Sequence, residues 1–152
     1  MGKSRWSIPT WIFLHTLVAK INPIHFSKVK IPIWNLISNI VSILPCPSCS
    51  EHSREFLKKV NIKKINSKKE LEDVIFYFHN NAVINSGKKP YFKKEDLSKY
   101  YRFNLPSCYN NFAREYTRPT RNMRTLGEEL ARKNIIKNIH KSIFPIKKYL
   151  LT

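Results

Sequence analysis

Apolar residues recur along most of this chain at intervals of three and four, the spacing that gathers side chains on one face of an α-helix. Trp11, Leu14, His15, Val18 and Ile21 share such a face and Asn22-Pro23 stops it, predicting a first helix over about Pro9–Ile21. A loop with Pro23, His25 and Lys residues leads to a second, about Pro32–Leu44, with Ile33, Leu36, Ile37, Ile40, Ile43 and Leu44 inward. Pro45-Cys46-Pro47 breaks that helix. Pro47 suits the first turn of a third, about Pro47–Val60, because the N–H it lacks has no intrahelical acceptor there. The capping box Ser67-x-x-Glu70 opens a fourth, which carries Leu71, Val74, Ile75 and Phe78 to about Asn85, with Gly87 as its C-terminal cap. A short helix near Lys94–Phe103 closes the compact part.

Beyond Pro106 the pattern changes. Ser107–Arg124 is polar and aromatic with few periodic apolar positions, and no helix is predicted there. A second capping box, Thr125-x-x-Glu128, then starts an amphipathic stretch with Leu126, Leu130, Ile136, Ile139 and Ile143 on its apolar face, ending at Pro145. The expected fold class is all-α: four core helices and one short helix over residues 1–105, then a basic, partly helical extension over 106–152. No internal repeat is present.

Hydrophobic residues make up 42% and charged residues 25% of the 152, an ordinary globular mix. Three glycines leave no room for a phosphate-cradling loop, so a nucleotide would have to be held by side chains on helices. The net charge of +18 attracts anions such as nucleic acid, acidic lipid or a pyrophosphate. Part of it follows codon usage, since Lys, Ile and Asn, all with A/T-rich codons, fill about a third of the chain. His15 interrupts the N-terminal apolar stretch and no small-residue cleavage site follows it, so no export signal is read. The run Ile31–Leu44 is too short and too polar to span a bilayer.

Of three cysteines, two form Cys46-Pro47-Ser48-Cys49. This leaves redox chemistry or metal binding. At a helix start, unpaired N–H groups and the helix dipole favour the thiolate that performs thiol–disulfide exchange. A structural zinc could instead draw on Cys46, Cys49, His52 and either His79 or Cys108, although Cys49-x-x-His52 crowds three ligands into one short segment. Cys108 reads as a small buried residue, an interchain bridge or a relay.

The residues around the pair extend the redox reading. Trp11-Ile12-Phe13-Leu14-His15-Thr16 sets an indole and an imidazole one helical turn apart; Pro45-Cys46-Pro47-Ser48-Cys49 follows; then come His79-Asn80 and Gly87-Lys88-Lys89-Pro90. These three blocks, in order over about Trp6–Phe92, resemble the Erv/ALR family of FAD-linked sulfhydryl oxidases. The spacing of Trp6 and Trp11 further resembles the short forms of large DNA viruses.

The resemblance implies a four-helix bundle that holds FAD noncovalently, with Cys49 as the flavin-proximal sulfur and Cys46 as the one that exchanges with substrate. It implies Trp11 and His15 lining the flavin, with His52, His79 and Asn80 at the adenosine part. Lys88 or Lys89 would neutralise the pyrophosphate. Ser7, where the family has Gly, and Val83, in the segment after His79-Asn80, complete the expected cofactor set. It also implies dithiol protein substrates, with a thioredoxin-like relay as one candidate, molecular oxygen as electron acceptor, hydrogen peroxide as product and a homodimer. The chain departs from the family in the spread of its Asn residues, with Asn81 and Asn85 both candidates for the second family Asn. It also lacks a partner for Cys108 and a separate shuttle pair. The expected setting is the cytoplasm of an infected cell or a virion, with the mitochondrial intermembrane space as the alternative.

Two other readings compete. A basic nucleic-acid or virion-core binding protein, with zinc at the C-x-x-C, would use the Arg, Lys and aromatic residues of Tyr109–Arg124 on phosphate. A thioredoxin-like reductase would need a βαβ pattern before its C-x-x-C, and none is visible.

Overall fold

The computed structural model describes residues 5–90, 92–119 and 126–151. Among these residues the regular elements are all helical: α1 (Ser7–Ala19), α2 (Phe26–Ser42), α3 (Pro47–Lys59), α4 (Lys68–Asn85), a 3-10 segment Lys94–Arg102, α5 (Leu105–Tyr116), α6 (Leu126–Ile143) and a 3-10 segment Phe144–Tyr149, with short 3-10 turns at Pro23–His25 and Ile62–Lys64. The one antiparallel bridge among the described residues joins Ile21 to Leu150. α1 packs on α4 and α5, α2 on α3 and α6, and α3 on α4.

α1 is central because it is apolar on more than one side. Leu14, His15 and Val18 share a buried face as the sequence predicts, with His15 meeting His79 of α4, and Phe13 and Leu17, half a turn round, are also fully buried. Phe13 stacks on Phe112 of α5 with ring centroids 4.8 Å apart. This second face is the reason the chain past residue 105 joins the core. α5 is a helix that the sequence reading omits: Asn104 caps it by accepting the Ser107 N–H at 2.9 Å, and Pro106 sits in its first turn. Cys108, Phe112 and Tyr116 are its buried face. The expected boundary after residue 105 falls inside the first turn of α5, and one cluster of buried side chains runs across it from Phe13 through Phe112 to Ile139 and Ile146.

Two further expectations are corrected. α2 begins at Phe26, not Pro32, with the proline inside it. Phe26 and Val29 extend the buried stripe of Ile33, Leu36, Ile37 and Ile40, and their packing offsets the hydrogen bond that Pro32 cannot donate. In α6, Leu126 and Leu130 point outward. The inward side is Glu129, Arg132 and Ile139, with Ile136 and Ile143 partly buried beside them. Thr125 of the second capping box lies outside the described residues. α1, α3, α4 and the short segment follow their predicted spans to within two residues. Ser67 accepts the Glu70 N–H at 3.2 Å, and Gly87 takes the left-handed φ of 84° that its capping role needs.

Candidate functional site

The α2–α3 corner sets up the cysteine pair. Cys46 is the N-cap of α3, with Pro47 next, and its Sγ accepts the backbone N–H of Cys49 at 3.3 Å. Cys46 and Cys49 are joined in a disulfide. The corner is tied from within, since Ser50 Oγ accepts the Leu44 N–H at 2.7 Å and lies 3.1 Å from the Cys46 carbonyl. Ser48 Oγ lies 3.4 Å from Cys46 Sγ. In the reduced state an N–H aimed at Cys46 Sγ, at the positive end of a helix, favours the thiolate there.

Beside Cys49 opens a cavity of about 880 Å³ between α1, α3 and α4, large even for a cofactor site. Trp11 lies flat against His79 of α4, centroids 4.3 Å apart and planes 9° from parallel, and meets the edge of Phe78 at 5.1 Å. One turn after Trp11, His15 brings its Nε2 to 3.0 Å from Nδ1 of His79 and stacks on Tyr100 at 4.6 Å. Burial, the neighbouring His79 and the Lys99 ammonium lower the His15 pKa to about 3. Burial and Lys99 lower that of His79 to about 4. Both rings are therefore neutral near pH 7, and one donates its N–H to the other across the 3.0 Å contact.

The expected cofactor residues divide by position. Ser7, Trp11, His52, His79, Val83 and Lys88 line the cavity, and so does Cys49, whereas Cys46 does not. His15 stands behind His79, only 3% exposed. Asn80 lies off the wall, and its buried Oδ1 has no hydrogen-bond partner among the described residues. Lys89 is exposed and off the wall as well. Asn81 and Asn85 both line the cavity. Sequence reasoning missed Trp6, Tyr100 and above all Lys99, which lies 5.3 Å from the Tyr100 ring and 5.8 Å from that of Phe92. Nothing local distinguishes Lys99 from the chain's other lysines; only the fold brings it to His15 and His79.

This donor set suits a large aromatic, phosphorylated cofactor. Flat rings and neutral imidazoles offer stacking faces and hydrogen-bond edges, Lys88 and Lys99 offer positive charge, and Cys49 brings sulfur to the wall. The zinc alternative does not assemble. Among the described residues no three His, Cys, Asp or Glu side chains are grouped to hold a metal. Cys46 and Cys49 are bonded to each other, His79 faces His15, and Cys108 is buried with its thiol 3.8 Å from Thr16 Oγ1. The nucleic-acid alternative loses aromatics, since Phe112 and Tyr116 are buried, while Glu115 binds both Arg114 and Arg118. Residues 120–124 of that stretch lie outside the described residues. No described helix is long and apolar enough to cross a membrane.

The comparisons agree with this chemistry. A protein of Invertebrate iridescent virus 3, provisionally named an FAD-linked sulfhydryl oxidase, is 27% identical over 100 residues. That alignment covers 64% of this chain and 66% of the viral one, just under two thirds of the relative's length. No solved structure matches significantly. The Erv1 / Alr family model matches residues 8–102, from the start of α1 through the end of the short 3-10 segment, and the chain belongs to that family.

Proposed function

We propose that the protein is an FAD-dependent thiol oxidase that forms disulfides in substrate proteins through Cys46 and Cys49. The observation that carries this reading is the disulfide at the start of α3, of which Cys49 alone opens onto the aromatic cavity. A substrate thiolate attacks Cys46 Sγ; the Cys46–Cys49 bond breaks, a mixed disulfide forms and Cys49 leaves as thiolate. The second substrate thiol, deprotonated, attacks the substrate sulfur of that bond and releases Cys46 as a thiolate, stabilised by the Cys49 N–H. The substrate leaves oxidised and the pair remains as a dithiol. FAD, when bound, supplies the two-electron acceptor that restores the disulfide and passes the electrons to molecular oxygen, giving hydrogen peroxide.

Trp11 and His79 supply stacking faces for the cofactor and His52 a polar edge at the cavity mouth. Ser7 and Val83 shape the wall, His15 orients His79 from behind, and Asn80 offers an unsatisfied acceptor next in the chain. Lys88 and Lys99 neutralise the pyrophosphate, with Lys89 outside that set. Residues 1–105 form the cofactor-binding unit and 106–152 an extension sharing its core. A homodimer, dithiol protein substrates and the cytoplasm of an infected cell or a virion complete the proposal. Phosphate contacts from the extension are a separable addition to it.

The test is an absorption spectrum, then oxygen uptake with dithiothreitol. Flavin bands and oxygen consumption are expected, and Cys46→Ser and Cys49→Ser should each stay yellow and lose turnover. Full activity in either variant would refute the mechanism.

A further inference from the structure

Arg132 is the largest of the fully buried side chains, 1% exposed, and it lies on α6, beyond the family match. Its Nε donates to the Tyr116 carbonyl at 3.1 Å and its Nη1 reaches the Leu44 carbonyl at 3.4 Å. Nη2 is buried with no hydrogen-bond partner among the described residues. No carboxylate is paired with Arg132 among the described residues; its acceptors are carbonyls at the ends of α5 and α2. A buried guanidinium without an acid is costly and calls for a reason beyond packing.

Its surroundings supply one. A helix C-terminus leaves carbonyls without intrahelical donors and carries partial negative charge. At the end of α2, the Tyr116 hydroxyl lies 2.9 and 2.7 Å from the Ile40 and Ile43 carbonyls, which share its one proton. Arg132 takes the next, that of Leu44, whose N–H is held by Ser50. Pro45 and Cys46 follow directly. The backbone entering the redox turn is thus pinned from α5 and α6 on one side and from α3 on the other.

We propose that Arg132 is a positioning residue for the Cys46–Cys49 disulfide, fixing the α2–α3 corner and setting the reduction equilibrium of the pair with its buried charge. The inference rests on the redox role assigned to that pair. Reduction by a dithiol breaks the Cys46–Cys49 bond, forms a disulfide in the reductant and transfers two electrons, leaving a thiolate at Cys46, two residues past the carbonyl at which the Arg132 charge is held and favoured by that positive charge. Without the cation the disulfide form gains.

The experiment is the equilibrium of the full chain with dithiothreitol, read by alkylation of free thiols and mass, alongside thermal melting. It needs no flavin or oxygen uptake, so it can fail or succeed independently of the oxidase reading. Arg132→Met, of similar length and uncharged, should shift the equilibrium toward disulfide about tenfold, which is about 30 mV for two electrons. A change under twofold in a variant that melts cooperatively would overturn the proposal. Should Arg132→Met fail to fold, Arg132→Lys provides the second measurement, because its single ammonium cannot span both carbonyls. A shift of threefold or more supports positioning, and a smaller one overturns it.

Discussion

Lowering the pH from 7 to 5 should destabilise this fold chiefly through His15 and His79. Both rings are buried and neutral, with pKa values lowered to about 3 and about 4, against about 6.5 for histidine in an unfolded chain. The unfolded state therefore binds more protons below pH 6.5, and stability rises with pH through this window. The stabilisation is complete above about pH 6.5 and is lost progressively as pH falls toward 4 and then 3. Between pH 7 and pH 5 each imidazole accounts for roughly 1.8 kcal/mol of lost stability, or about 3.5 for the two. That is a large share of the roughly 5–15 kcal/mol typical of a domain. The assay is urea unfolding followed by tryptophan fluorescence at pH 7, 6 and 5, comparing the native chain with a His15→Gln, His79→Gln variant. Other histidines and carboxylates stay in both proteins, so the difference in pH slope isolates this pair. Parallel slopes would refute the reasoning, whatever the absolute stability of the variant.

Two further substitutions probe other parts of the argument. Phe112→Ala removes a fully buried ring packed between Phe13 and Tyr116, and should cost about 3–5 kcal/mol in denaturant unfolding; a cost under about 1 would mean that α5 is not part of the core. Lys99→Ala should weaken FAD binding about tenfold or more, the worth of one charge-assisted contact, whereas Lys89→Ala, outside the cavity, should leave it within about twofold; flavin release on dilution measures both.

The parts of the fold that the sequence makes legible are those where a local signal and an apolar stripe coincide. Ser67 with Glu70, Pro47 after Cys46, and Gly87 mark their helix ends because each acts on neighbours within one turn. Pro32 misleads because its local preference for a first turn is outweighed by burial of Phe26 and Val29, which only the fold reveals. α5 was legible in principle: Leu105, Cys108, Phe112 and Tyr116 keep a helical period behind an Asn104 cap and a first-turn proline. Asn and Arg residues between them dilute the pattern. Its packing site, the Phe13 and Leu17 side of α1, is equally visible once α1 is recognised as apolar on two sides.

The site divides the same way, and the division has a physical cause. Trp11 with His15, Cys46 with Cys49 and His79 with Asn80 are each local pairs, so their spacing can be read from the chain. What they do to one another cannot. That Trp11 stacks on His79, that burial keeps His15 and His79 neutral against each other, and that Lys99 from a later segment stands near both are tertiary facts. The same holds for Arg132, which in sequence is one more basic residue of a basic extension. Its charge carries meaning only because α6 delivers it, buried and with no carboxylate partner among the described residues, to the carbonyls that lead into Cys46. The strong positive charge of the chain is thus not a single property: most of it is solvated surface, and the cations with a local chemical argument are the few that the fold removes from water or brings to the cavity.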